Sequence, residues 1–302
     1  MAKMYVAKVN LISNIAELYK NNNCEIMKQN IMSAIKDKVE YIDKTVSKDG
    51  ESDGFKYDLI VTYRTATEIY GRLVKKAKIY YKTLDAIPEN VDINTDIYSY
   101  HSPEAAEEIV FLYDVFAEKI AFNTRQRFGY QQFVKGMAGI INKAVENANY
   151  DYEFELSLCT TSIDVRRLRE SLKKIDNITD LEFRFQLPNP EEPILKKIQD
   201  NPEAYIEELS EAHIDDFSNV FRSKSGINLD SKPINNSVNI VENIHSSITG
   251  ADALKNGYVK VYAINKSGVN YSSEEDGIFS RDIDEKVNYL NFCRETILML
   301  QR

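Results

Sequence analysis

The sequence predicts an α+β fold in two parts: a β-rich α+β domain over residues 1–148, then a domain over 149–302 built on a strand–helix–strand unit, with further helices, a hairpin and a C-terminal helix. Three observations carry that expectation. Residues 152–193 place a helical segment between two alternating ones. Residues 55–84 are dense in tyrosine and β-branched residues at strand spacing. Residues 257–271 read as strand, turn and strand.

Taken in order, residues 4–12 alternate weakly and read as a first strand. A helix is expected over 25–42, where Ile26, Ile31, Ile35, Val39 and Ile42 form an apolar stripe. The polar cluster SKDGESDG at 47–54 reads as an exposed hairpin loop. Strands follow over 55–62 and 69–84. In the second, Leu73, Lys75, Ala77, Ile79 and Tyr81 share one face, and Val74, Lys76, Lys78 and Tyr80 the other. Neither face is purely apolar, which suits an edge strand or a partly exposed sheet. Residues 86–104 read as loop, with a short strand open at 97–100. The run EIVFLYDVFAEKIAF at 108–122 reads as two strands joined near Ala117, a single buried helix being the alternative. Residues 126–145 should form a helix entered near Phe128, with Phe133, Met137, Ile140, Ile141 and Val145 inward.

In the strand–helix–strand unit, Phe154, Leu156 and Leu158 alternate with Glu153, Glu155 and Ser157. Thr161 and Asp164 have capping-box spacing. The helix stripe is Val165, Leu168, Leu172 and Ile175, with Arg166, Arg167, Arg169, Lys173 and Lys174 outward. Leu181, Phe183, Phe185 and Leu187 then alternate with Glu182, Arg184 and Gln186. A right-handed crossover of this kind predicts two parallel strands with one covered face. Pro190 and Pro193 mark a linker into a helix from about Asp200, with Ile206, Leu209, His213, Phe217, Val220 and Phe221 buried. After a polar loop at 223–236, Val238, Val241, Ile244 and Ile248 mark another helix. GYVKVYAI at 257–264 is a strand, turned back by Asn265-Lys266-Ser267-Gly268. A last helix is expected from about Asp282, with Ile283, Val287, Leu290, Cys293, Ile297 and Leu300 on its stripe.

A chain of 302 residues, 28% charged and 43% apolar, has the composition of an ordinary globular protein with a sizeable core. No apolar run approaches the roughly 18–20 residues that cross a bilayer. The opening MAKMYVAKVNLIS is too short and too interrupted by lysine for a signal peptide, so the expected location is cytoplasmic. Cys24, Cys159 and Cys293 are far apart and odd in number, which argues for reduced structural thiols over a disulfide framework or zinc cluster.

Catalytic spacings are missing. There is no Gly-x-x-x-x-Gly-Lys loop, no Gly-x-Gly-x-x-Gly fingerprint and no Gly-x-Ser-x-Gly elbow. His101, His213 and His245 are isolated from one another and from any cysteine at ligand spacing. Asp180-x-Glu182-x-Arg184 resembles the strand half of a metal-dependent nuclease site, with arginine where lysine is expected. The polar face of a half-exposed strand accounts for the same residues. The expectation is a protein without catalytic residues, metal or cofactor.

The net charge of -9 disfavours a strongly basic nucleic-acid binder, yet the charge is polarised along the chain. Arg64, Arg72, Lys75, Lys76, Lys78, Arg125, Arg127 and Lys135 interleave with Tyr70, Tyr80, Tyr81 and Phe128. Cations beside rings suit sequence-independent phosphate binding, and a pair of solvated sheet edges would give the same pattern. Residues 191–216 are dense in carboxylates, against only Lys196 and Lys197.

The strand ending LEFRFQLPNP, the hairpin YVKVYAINKSGVNY and the terminal NYLNFCRETILML, after a strand-rich N-terminal half, resemble the Rex A-type phage-exclusion proteins, prophage-encoded and acting in abortive infection. The resemblance covers about the last half of the chain, at the level of pattern. It implies a non-enzymatic DNA-binding sensor that dimerises and works with a separate membrane effector. The expected function is therefore sequence-independent nucleic-acid binding, of DNA first, in antiphage defence. A homo-oligomer would form through the edge of the 69–84 strand or through the terminal helix, where Phe292 and Leu298 lie off the main stripe. The main alternative is a protein-interaction module of a defence or phage-encoded complex, using the acidic helix with Glu191, Glu192, Glu203, Glu207, Glu208 and Glu211 and the sheet edges. A metal-dependent nuclease is the third.

Overall fold

Two antiparallel sheets organise the chain, as a computed structural model shows for residues 3–15, 18, 24–43, 55–77, 105–124, 128–161, 163–189, 212, 214–243, 249–283 and 288–300. The elements in order are β1 (Lys3–Leu11), α1 (Cys24–Ala34), β2 (Glu40–Ile42), β3 (Lys56–Arg64), β4 (Glu68–Ala77), β5 (Ala105–Asp114), β6 (Lys119–Asn123) and α2 (Tyr130–Asn147). There follow β7 (Phe154–Leu158), α3 (Val165–Lys173), β8 (Ile178–Gln186), β9 (Asp216–Arg222), α4 (Lys232–Glu242), α5 (Gly250–Lys255), β10 (Val259–Asn265), β11 (Asn270–Ser272), β12 (Ser280–Asp282) and α6 (Tyr289–Met299). The fold is α+β.

The first sheet runs β2-β3-β4-β5-β6-β1, and the far side of β1 is shared: Lys3, Met4 and Tyr5 pair with β12, and residues 7–11 pair with β7. One face packs on α1 and α2 through a core that includes Ile31, Phe111 and a close ring stack of Phe122 on Phe133, 3.9 Å between centroids. On α2, Gly136 and Gly139 admit the rings of Tyr57 and Tyr41, where a Cβ would come within 2.5 and 2.2 Å. The other face packs Met4, Val6, Leu112 and Ala121 against Phe292, Cys293 and Ile297 of α6. The second sheet, β11-β10-β8-β9, is covered on one face by α3, α4 and α5. Phe183, Phe185, Val259 and Val261 meet Leu168, Leu172, Val238 and Val241 there. Among the described residues, no helix is long and apolar enough to cross a membrane.

Several expectations hold. The two strands of 108–122 are β5 and β6, buried on both faces between α2 and α6, which is why both parities of that run are apolar. The α2 helix and the β10–β11 hairpin also form as read.

Others are corrected. β7 and β8 are not a parallel pair: β7 joins the first sheet beside β1, β8 joins the second, and α3 leads from one sheet to the other. Beyond Ala148, β7 and β12 pair with β1 of the first sheet, and α6 packs on its face. The first helix ends at Ala34, and the chain turns through Lys38 at φ 64° into β2, so that Ile26 and Ile42 face outward. β4 is no edge: it lies between β3 and β5. The expected helix reaching Phe221 ends in a strand instead, with Phe217 and Phe221 inward and Val220 outward. Asp164, not Thr161, caps α3 by accepting from Arg167 N at 2.7 Å. Residues 280–282 form β12, and the last helix starts only at Tyr289. Phe292, expected off the stripe, is buried, while Leu298 is exposed. The readings at 47–54, 78–104 and 190–211 lie outside the described residues.

A buried ionic cluster ties these parts together. The Glu118 carboxylate accepts from Lys8 Nζ at 2.8 Å and Asn189 Nδ2 at 2.6 Å, with Lys28 Nζ at 3.3 Å. Asn189 also donates to Val9 O and accepts from Leu11 N, and Gln186 Nε2 donates to Leu11 O. The end of β8 is thus bonded to β1 and to the β5–β6 turn, whose Glu118 also holds Lys28 of α1. Burial opposes the Glu118 charge most strongly, yet Lys8, Lys28 and the bonds from Lys8 and Asn189 together hold its carboxyl below the usual range. The depressed folded value means the stabilisation is fully present above about pH 4.3, the ordinary glutamate value, and is lost as pH falls through the folded value. Glu118→Ala leaves two lysines buried without their anion and is expected to cost about 3–5 kcal/mol in urea unfolding at neutral pH. A loss under about 1 kcal/mol, the level of an exposed pair, would contradict this role.

Candidate functional site

The described cations of the expected basic strip are each engaged, and they divide between faces. Arg64 donates to the carbonyls of Met32 (2.9 Å) and Ile35, satisfying the C-terminal end of α1. Arg72 pairs with Glu108 at 3.1 Å, Lys76 with Asp58 at 2.8 Å and Lys135 with Asp43 at 2.7 Å. Lys75 is buried on the α2 face, its ammonium 5.0 Å from the Phe55 ring and 5.1 Å from that of Phe128, donating to Gln132 Oε1 at 2.8 Å. Desolvation pushes its pKa down. On β4, Lys75 shares its face with Ile69 and Leu73, while Arg72 and Lys76 point through the opposite one. Lys78, Arg125 and Arg127 lie outside the described residues. Alternation along β4 therefore turns a run of cations into two sets with separate partners.

Exposed positive charge gathers instead on α3. Leu168 and Leu172 fix the helix against the second sheet, so its other side faces out. That side carries Arg166, Arg169, Lys173 and Lys174, beside Lys232 at the start of α4. Among the described residues, Arg166 pairs within the helix, with Glu170 at 3.0 Å, and its side chain is 86% exposed. Arg169 donates to Asn235 at 2.9 Å, and Lys173 lies 3.3 Å from Asp230, which places the α4 end beside this face. Arg167 turns away to Asp276, whose carboxylate also accepts from Ser171 and Tyr271. Burial works against that charge first, but the Arg167 and Ser171 hydrogen bonds outweigh it and hold the Asp276 carboxyl low. The latch orients α3 on the β11–β12 turn. The sequence had shown the outward arginines of α3 without distinguishing them from a solvated helix face.

A cleft of about 480 Å3 opens between α2, β7 and the β10–β11 hairpin, floored by Leu156 and Leu158 and walled by Tyr130, Tyr262 and Tyr271. Tyr262 donates to Glu274 at 2.5 Å, and Lys260 bridges Glu155 (2.6 Å) and Glu274 (3.3 Å). Burial, then the Glu274 charge, pushes the Tyr262 phenol up, so it stays a donor. The walls suit a flat apolar group, and the carboxylates of Glu274 and Glu275 at its rim repel phosphate.

The Asp180, Glu182 and Arg184 row lies on the outer face of the second sheet. Asp180 pairs with Arg222 (3.4 Å), Glu182 accepts from Ser218 Oγ (3.1 Å) and Arg184 pairs with Asp216 (2.7 Å). Among the described residues, no group of three or more His, Cys, Asp or Glu is spaced to hold a metal. His101, His213 and His245 lie outside them. Cys24, Cys159 and Cys293 are free and buried. No protein-family model matches the chain, and no curated protein matches it.

With the row engaged in cross-strand pairs, plasmid incubated with the protein and magnesium or manganese is expected to stay intact on a gel. Cleavage that disappears in Asp180→Ala or Glu182→Ala would contradict that assignment.

Proposed function

We propose that the protein is a sequence-independent nucleic-acid-binding component, a DNA sensor, of an antiphage abortive-infection system, docking backbone phosphates on the outer face of α3. One observation carries the reading: Arg166, Arg169, Lys173 and Lys174 crowd the solvent side of one short helix, next to Lys232. The partners of Arg166 and Lys173 are exposed, and exposed pairs are exchanged for phosphate at little cost. Arginine and lysine without a groove-reading element position a duplex but do not select a sequence. The resemblance to Rex A-type proteins supports the same reading, and with it a cytoplasmic, homodimeric protein acting beside a separate membrane effector. No catalytic step is part of the proposal.

A protein-interaction module is the second reading. It is favoured by the net charge of -9 and by Leu298 and Met299, which stand 53% and 56% exposed on α6.

Fluorescence anisotropy with an arbitrary duplex separates the two. The logarithm of affinity should fall linearly with that of salt, with a slope of about -0.9 per phosphate neutralised. Arg166→Glu, Arg169→Glu and Lys173→Glu together should weaken binding at least about tenfold, flatten the slope and abolish protection from phage. Lys76→Glu, on a different face, should change binding little. No binding by the parent at low salt, or unchanged affinity in the triple variant, would favour the interaction module.

A further inference from the structure

β9 closes the second sheet: among the described residues its ladder is with β8 alone. The direction of its remaining backbone groups follows from its ends. Leu187 N donates to Asp215 O and Ser223 N donates to Thr179 O, so odd-numbered backbone groups turn toward β8. Those of Asp216, Ser218, Val220 and Arg222 turn to the outer edge.

The strand reads Asp-Phe-Ser-Asn-Val-Phe-Arg, and its chemistry is self-complementary about Asn219. Asp216 mirrors Arg222, Phe217 mirrors Phe221, and Ser218 mirrors Val220. We propose that β9 pairs antiparallel with β9 of a second copy about a two-fold axis through Asn219, joining two four-stranded sheets into one. The backbone parity fits. In this register Ser218 lies opposite the partner's Val220 and Asp216 opposite the partner's Arg222, and all four carry the outward N–H and C=O groups. Asn219, whose backbone turns inward, falls on the axis as a non-hydrogen-bonded pair.

The side chains fit as well. On the solvent face a cross-strand row would run Asp180, Arg222 and then the partner's Asp216, alternating in sign. On the helix face Phe217 stacks on Phe185 at 4.7 Å and Phe221 meets Phe183 edge-on, and the row would continue from Phe221 to the partner's Phe217. Val220, 49% exposed, would be covered by the partner's Ser218. A second copy suits this edge better than an unrelated strand, because opposite charges meet at both ends, rings meet on the helix face and the backbone parity holds along the strand.

Sedimentation velocity on the full chain tests the pairing. The parent is expected to be a dimer at high micromolar concentration. Arg222→Asp and Asp216→Arg each place like charges opposite one another at both ends of the ladder, and each should be monomeric. Their equimolar mixture restores opposite charges at both ends and should recover the dimer. Val220→Pro removes one outward N–H without touching the β8 ladder and should also give monomer, with an unchanged circular dichroism spectrum. A monomeric parent, single variants as dimeric as the parent, or a mixture that stays monomeric would each overturn the proposal.

Discussion

One buried carboxylate, that of Glu118, sets the geometry on which both sheets depend. It sits in the β5–β6 turn at φ 55°, a left-handed conformation that costs a residue with a Cβ about 1–3 kcal/mol and persists only where surrounding contacts fix it. Here the contacts are Lys8 from β1, Lys28 from α1 and Asn189 beyond β8. β1 is the common member. It pairs with β6 on one side and with β7 and β12 on the other, and its last residues bond the chain leaving β8. Asp215, just before β9, extends the seam by accepting from the backbone N–H groups of Asn14 and Ile15.

This internal use of charge decides what the surface can offer. Lys8, Lys28, Lys75 and Lys260 are all buried with acceptors in reach, so their ammonium groups are not presented for direct contact with an outside anion. Among the described residues, exposed cations gather on α3, held to the second sheet by Leu168, Leu172 and the Asp276 latch. A two-fold axis at β9 would keep the helices of both copies on one side of the joined sheet. Two basic helices would then face the same way, and a duplex reaching both would bind more tightly than either alone.

Periodicity in the sequence reports which residues share a face, and that much was legible. The β5–β6 pair, α2 and the β10–β11 hairpin follow from local pattern and turn chemistry. Partner choice was not legible. β7 and β8 look like neighbours along the chain, but the pairing of β7 with β1 spans well over a hundred residues and leaves no local mark. Phe217 and Phe221 fit a helix at i and i+4 as well as a strand at even spacing, and only the ladder with β8 decides. The buried lysines were hidden for a related reason. A charged residue at an inward position, such as Lys8 or Lys75, reads as a break in the apolar face until its seat is seen. The outer face of α3 could be read from spacing, but its separation from the β4 cations required the sheet order.

Differential scanning calorimetry of the full chain tests most directly whether β1 and Glu118 join both sheets into one cooperative unit. The expected result is a single transition whose calorimetric and van't Hoff enthalpies agree. Two resolved transitions, with β8 and β10 still protected from hydrogen exchange after β3 and β4 have opened, would contradict it.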